Sequence, residues 1–329
     1  MQVSICTPCR LHFGLIDLNG KLKRVDGGVG VALSTPCVDL TIKTTNNKEL
    51  FIQPEIPIVR DLIHRFYEKI VRKNIPGLQI KLHSTIPSHV GLGSKTQISL
   101  ALATALSRIE RKEISIRDLA YRMGRGGTSG IGTTAFEKGG FILDGGHSFG
   151  PTLQKSNFLP SRASQAHPPP VLFQMDFPSE WRFVLALPPV EEGAHGSREI
   201  DMFKKFCPIP DKDVEGVCRI ILMKLLPGVV ERNCVGVGEA LNQLQTIGFK
   251  KIEINLQSPL IPELMKLAVE GGADGSGMSS FGPVVYSLTD SETKARNIVQ
   301  IWEEKLRLNS EKPGKVWISP VRNTGATIT

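Results

Sequence analysis

The chain is poor in the features that classify a protein fastest. Aromatic residues fill only 6 % of its 329 positions, so an aromatic-rich interface is not expected. Its six cysteines, Cys6, Cys9, Cys37, Cys207, Cys218 and Cys234, are irregularly spaced. A chain this long needs no disulfide staples, and the Cys-x-x-Cys at Cys6 and Cys9 has no second pair to complete a zinc site. Buried thiols are the plain reading. No run of about eighteen apolar residues exists to span a bilayer. The start, MQVSICTPCRLHFG, lacks the basic-then-apolar pattern of a signal peptide, so a cytoplasmic protein is expected. Blocks of like charge and nucleic-acid motifs are also missing, which argues against a nucleic-acid partner.

What the sequence does carry is glycine, 32 residues of it, and a net charge of +8 from 40 Lys and Arg against 32 Asp and Glu. The excess fits either a solvated basic surface or an anionic ligand. The length favours two domains, divided here at 1–165 and 166–329. In the first half, Val38 to Thr44 and Leu78 to Leu82 alternate as strands. Pro57 to Lys73 and Ser94 to Ile109 carry helical periodicity, and Ser115 with Asp118 resembles a capping box. Gly150 to Pro170, with five prolines, reads as a linker or long surface loop. Beyond it, a strand at Trp181 to Leu187 precedes four helical patterns near 197–206, 212–225, 233–247 and 261–270. A strand at Val284 to Leu288, a helix at 291–307 and a strand at Lys315 to Ser319 follow. The pattern is α+β in layers.

Three glycine-rich stretches stand out. "GLGSKTQ", from Gly91 to Gln97, follows a strand and opens a helix. Gly91 and Gly93 permit positive φ and close approach, and the amides of the helix start form an anion site with the dipole. Lys95 adds a full charge, while Thr96 and Gln97 add neutral donors. The P-loop spacing is absent, because His89 stands where its first glycine belongs. "GRGGTSGIGTTAFEKGGFILDGGHS" (124–148) contains Thr128 and Ser129, and "GGADGSGMSSFGPVVYSL" (271–288) contains Ser276 and Gly277. Each stretch alone reads as turn chemistry; the three together suit a ligand with several phosphates.

Together with "TPCRLHFGLIDLNG" near the N-terminus, these stretches resemble the GHMP kinase superfamily over nearly the whole chain. The resemblance implies an N-terminal βα domain with a left-handed crossover, a ferredoxin-like C-terminal domain and an active site between them. Two departures from the kinases are specific. Lys95 replaces the second serine of the phosphate loop, and Gly132 stands where many family kinases carry a catalytic aspartate. Glycine can neither accept a proton nor orient a hydroxyl. With "GAHGSRE", the motif set resembles the family of β-ribofuranosylaminobenzene 5′-phosphate synthases. That family joins phosphoribosyl pyrophosphate to 4-aminobenzoate or 4-hydroxybenzoate in methanopterin-type biosynthesis, releasing pyrophosphate and CO₂ and forming a carbon–carbon bond. The alternatives are an ATP-dependent small-molecule kinase and a binding protein that has kept the cradle.

On that resemblance, Gly91, Gly93, Ser94 and Lys95 hold the pyrophosphate. Mg²⁺ is the expected cofactor, with Asp17 and Asp144 as its candidate carboxylates; turn or cap aspartates are the plainer reading of both. Arg10 or Arg24 grips the 5′-phosphate or the benzoate carboxylate. His12, between Leu11 and Phe13, is a core or a catalytic histidine. His195 and Glu199, from "GAHGSREIDMF", are candidates to meet the substrate from the second domain, although Ser197 also reads as an ordinary helix cap. The expected partners are small molecules, with a homodimer as the quaternary option.

Overall fold

The computed structural model describes residues 1–161, 163–191, 197–308 and 314–329. Three sheets organise the chain. The first has five strands in the order Thr327–Ile328, Gln2–Cys6, Asp39–Thr44, Leu78–Ser84 and Leu50–Gln53. Its pairs are antiparallel except the last, which is parallel and connected through the helix Pro57–Phe66. The period-two pattern is obeyed closely: Leu78, Ile80 and Leu82 are buried while Gln79, Lys81 and His83 face out. The helix Ser94–Ile109 packs over this sheet, and twelve of its sixteen residues are buried. A helix enclosed that fully needs small residues for close approach, and Ala101, Ala103 and Ala105 supply them. The helix Ile116–Arg122 starts as its capping pattern predicts, with the Asp118 amide donating to Ser115 Oγ at 3.1 Å. The pattern at Pro57–Lys73 is α-helical to Phe66 and continues as a wider, π-helical turn, Tyr67–Val71, which closes on Arg72 at φ +59°.

The second sheet is antiparallel and contains the long hairpin Cys9–Asp17 and Arg24–Leu33, then Phe141–Asp144 and Val171–Met175. The third runs Gly275–Met278, Val285–Thr289, Arg182–Leu187, Lys315–Pro320. Numbered along the chain, these strands lie in the order 2-3-1-4, the arrangement of a ferredoxin-like domain. Both faces of this sheet are covered. Val184, Ala186 and Val285 pack with Trp302, Ile298 and Leu264 of the helices Glu292–Leu308 and Leu260–Glu270. Phe183, Leu185 and Tyr286 face the main core.

The division at 165/166 does not follow the sheets. Val171–Met175 pairs with Phe141–Asp144, and Thr327–Ile328 pairs with Gln2–Cys6, so both are built into sheets of the N-terminal half. The proline-rich segment is a packed loop rather than a loose linker: Arg117 donates to Pro169 O at 2.9 Å, and His167 stacks on Tyr121 with centroids 3.6 Å apart. A chain of aromatic rings joins the second and third sheets. Phe141 meets Phe177 at 6.0 Å, Phe177 meets Phe183 at 5.8 Å, and Phe13 meets Tyr286 at 5.3 Å. Each such pair adds about 0.5–1.5 kcal/mol beyond the area it buries.

Candidate active site

The turn from His89 to Gly93 is held in place by contacts distant in sequence. Gly91 has φ +90°, and a Cβ there would lie 2.2 Å from the carbonyl oxygen of Ser279. Only glycine permits both the backbone conformation and that approach. Ser279 Oγ donates to Gly91 O at 2.7 Å and accepts from the His12 amide at 3.1 Å. The amide of Ser280 donates to His12 O at 2.9 Å, and that of Val284 to Val90 O at 3.2 Å. The Arg10 guanidinium donates to Gly91 O. The first motif, the glycine turn and the third glycine stretch are thereby tied into one floor.

The helix Ser94–Ile109 begins on Gly93, at φ +81°, with no side-chain cap, and its positive end meets a cleft of about 210 Å³. Arg10, His12, Gly91, Gly93, Ser94, Lys95, Thr96, Thr128, Ser129 and Glu199 all line this cleft. Ten of the residues singled out in the sequence therefore meet at one place. The cleft also holds groups to which the sequence assigned no role: Arg125, His89, Glu253, Ser280 and the rings of Phe203 and Phe281. Arg125 donates through Nε to Thr96 Oγ1 at 3.1 Å. The signal for Arg125 was its place inside the second glycine stretch; Glu253 sits in an ordinary amphipathic helix and gave none.

Burial and like charge dominate the electrostatics. Burial lowers the Arg10 pKa to about 10, and the charge of Arg125 adds to the effect. Burial also lowers Arg125, against the opposing pull of Glu199. Lys250 is lowered and Glu253 raised by burial, and the two form a contact ion pair, with Lys250 Nζ also donating to Ser280 O at 2.8 Å. His12 is pushed well below the usual histidine range by burial, then by Arg10 and Lys250. Concentrated positive charge at a helix start binds anions, most strongly one carrying several charges.

Six expected site residues lie elsewhere, each for a local reason. Asp17 is a turn aspartate: its Oδ1 accepts from the amides of Asn19 at 2.7 Å and Gly20 at 3.2 Å. Arg24 is exposed and donates to the carbonyls of Gly145 and Gly146. Gln97 is fully buried and donates to Gly132 O at 2.8 Å, joining two helices. Ser276 donates to Tyr286 O at 2.8 Å within its sheet. A Cβ on Gly277 would come within 2.5 Å of the Tyr286 hydroxyl, so this glycine serves packing. The third stretch does reach the cleft, but through Ser280 to Gly282. Asp144 is fully buried behind the cleft, with Oδ2 accepting from Gly130 N at 2.8 Å and Ser129 Oγ at 3.2 Å, and Oδ1 from Gly146 N at 3.0 Å. Asp17 and Asp144 thus do not fit a metal pair on the cleft. His195 lies outside the described residues. Gly132 is buried, and a Cβ there would sit 3.1 Å from Thr96 Cγ2, so any side chain at this position would press on Thr96.

Comparison with known proteins agrees with this picture. The family models "GHMP kinases N terminal domain" and "GHMP kinases C terminal" match residues 58–140 and 225–308. Phosphomevalonate kinase from Streptococcus pneumoniae superimposes with a TM-score of 0.69 over 98 % of this chain and 100 % of that one, at 11 % identity, a likeness of fold alone. Fold and cleft together define a two-domain protein of the GHMP kinase type. Within that class, the β-ribofuranosylphenol 5′-phosphate synthase of Methanothermobacter thermautotrophicus is 41 % identical over 336 aligned positions, 99 % of this chain and 98 % of the relative. The enzyme of that name from Archaeoglobus fulgidus is 45 % identical over 285, or 87 % of each chain. The chain belongs to the β-ribofuranosylphenol 5′-phosphate synthase family.

Proposed function

We propose that the chain is a decarboxylating phosphoribosyltransferase that condenses phosphoribosyl pyrophosphate with a 4-substituted benzoate to give a C-riboside 5′-phosphate, pyrophosphate and CO₂. The observation that carries this reading is the convergence of Lys95, Arg10 and Arg125 on an uncapped helix start at the cleft, together with a glycine, buried in the helix Ile131–Glu137, at position 132. Pyrophosphate leaving C1 of the ribose gains negative charge, and donors already aimed at a developing charge supply the largest share of catalysis in most enzymes. The cleft also presents Phe203, Phe281 and Leu15, an apolar surface suited to an aromatic ring. The word phenol in the relatives' name favours a hydroxyl over an amino group on that ring.

Mg²⁺ enters this reading as part of the substrate, chelated by the diphosphate. Such an ion keeps several waters and needs only one or two carboxylates from the protein. Glu199, on the cleft wall, is the carboxylate proposed to approach it. The kinase alternative has the fold in its favour and Gly132 against it. Incubation with phosphoribosyl pyrophosphate, Mg²⁺ and carboxyl-labelled 4-hydroxybenzoate should release labelled CO₂ and pyrophosphate together. ADP formation from ATP and a simple alcohol, without CO₂ release in that assay, would overturn the proposal.

A further inference from the structure

Three side chains converge where the cleft wall meets the core. His12 Nε2 lies 3.1 Å from Ser129 Oγ, and Ser129 Oγ lies 3.2 Å from Asp144 Oδ2. The amide of Ile131 also points at Ser129 Oγ, at 3.2 Å. They close over Gly28, where a Cβ would sit 2.7 Å from Ser129 Oγ and 3.0 Å from both Asp144 Oδ2 and His12 Nε2. No side chain other than glycine's fits there, so the three polar groups share one tightly filled space.

The hydrogen bonding fixes a tautomer. A serine hydroxyl has one proton and two lone pairs. Ionised Asp144 can only accept, so Ser129 gives its proton to Asp144 Oδ2. Its lone pairs then accept from the Ile131 amide and from His12, which places the imidazole proton on Nε2. The remaining lone pair is on Nδ1, to which no hydrogen bond is made among the described residues. The facing charges are Arg10 on the same strand and Lys250 on the helix Gly248–Asn255, with Asp144 behind Ser129. Burial, and after it the two cations, keep the ring neutral, and the cations stabilise an anion beside it.

We propose that His12 is a catalytic residue that takes the proton of the acceptor's para-hydroxyl through Nδ1 as the ring attacks, and that Ser129 and Asp144 are positioning residues that hold its tautomer. The inference rests on the reading above. In the step, the ring carbon bearing the carboxylate forms a bond to C1 of the ribose with a ring electron pair. The C1–oxygen bond breaks and its pair leaves on pyrophosphate. The ring is then a protonated dienone, whose O–H is far more acidic than a phenol, so even a histidine of low basicity takes the proton. The carbon–carboxylate bond breaks next, its pair restores the aromatic ring, and CO₂ departs. The oxygen, now a phenolate, recovers the proton from His12. No proton is gained or lost overall.

The test compares two acceptors in parent and variant proteins: 4-hydroxybenzoate, and 3,5-difluoro-4-hydroxybenzoate, whose phenol is already ionised at neutral pH. His12→Asn keeps a donor toward Ser129 but has no base. It should lower kcat on 4-hydroxybenzoate by about a hundredfold or more. With the difluoro acid the parent-to-variant ratio should shrink by about tenfold or more, because no proton has to be removed. Dividing by the parent rate cancels the slower attack of a fluorinated ring. Ser129→Ala, a milder change, should show the same pattern at smaller amplitude, and calorimetric binding of phosphoribosyl pyrophosphate should report both variants folded. Equal ratios with the two acids would make His12 a matter of shape alone and overturn the inference. If the parent protein released CO₂ from neither acid, the transferase reading itself would fall, a separate result.

Discussion

Replacing Gly91 by alanine tests the floor of the cleft. The new Cβ would lie 2.2 Å from the backbone oxygen of Ser279 at a residue with φ +90°. Strain of that kind costs about 1–3 kcal/mol. The clash is with backbone, so the turn and the segment from Ser279 to Val284 must separate. That movement takes with it the bonds from Ser279 Oγ to Gly91 O and from Val284 N to Val90 O. Each contributes about 0.5–1.5 kcal/mol, which brings the expected loss to about 2–6 kcal/mol. For 329 residues the unfolding entropy near the transition is about 0.7 kcal/mol per degree, so Tm should fall by about 3–9 °C. Calorimetry of the free protein reads this directly, with Ser279→Ala as a control that removes two bonds, to Gly91 O and from the His12 amide, and should cost about 1–4 °C. Binding of phosphoribosyl pyrophosphate should weaken in Gly91→Ala, since the helix start no longer sits against Arg10. A variant melting within about 1 °C of the parent and binding normally would refute the claim that this contact positions the cradle.

Lys95→Ala should lower kcat by about a hundred- to a thousand-fold, the cost of losing one donor to a developing charge; the free protein should melt no lower, because a cation in the first turn opposes the helix dipole by about 0.3–1 kcal/mol. Near-normal turnover would remove Lys95 from the leaving group. Treatment with EDTA should abolish activity and added Mg²⁺ should restore it, while the Tm of the free protein stays unchanged because the metal arrives with the substrate; a Tm drop in EDTA would instead indicate a resident ion. Burial raises the Asp144 pKa from 3.8 to about 6. A folded-state pKa above the unfolded one adds stability that is complete below pH 3.8 and lost as pH rises through 6. The Tm difference between the parent and Asp144→Asn should therefore move against the parent from pH 4 to 6, and a difference constant with pH would contradict the shift.

Periodicity made most of the fold readable. The helix at Ser94–Ile109 has the observed bounds, and three of the third sheet's four strands fall within a residue of the alternating stretches, while the fourth, Gly275–Met278, lies in a stretch that reads as a glycine turn. The hairpin Cys9–Asp17 and Arg24–Leu33 was harder, because "RVDGGVGVAL" puts three glycines in a strand that is buried over nine of its ten residues. The glycine motifs were legible as motifs but not as jobs. Gly275 approaches Gly238 so closely that its Cβ would lie 2.5 Å from Gly238 Cα, a helix-to-strand contact that looks in sequence like a phosphate loop. Asp144 reads in sequence as a metal candidate or a turn aspartate, and its bonds from Gly130, Ser129 and Gly146 are those of a carboxylate that holds the chain. Lys250 and Glu253 sit on a helix face that sequence alone cannot tell from a solvated one.

The aromatic chain from Phe141 through Phe177 and Phe183, with Phe13 on Tyr286, has a consequence for how a ligand gets in. Swinging the two halves apart would bring these rings into water, at a cost of about 1.5–3 kcal/mol for each ring exposed. That penalty holds the closed arrangement as the dominant one. A cleft held closed in this way acts as a mould rather than a jaw. Its selectivity is then set before any ligand arrives: an anion of the wrong length meets donors that cannot follow it, and one of the right length is gripped with little ordering left to lose.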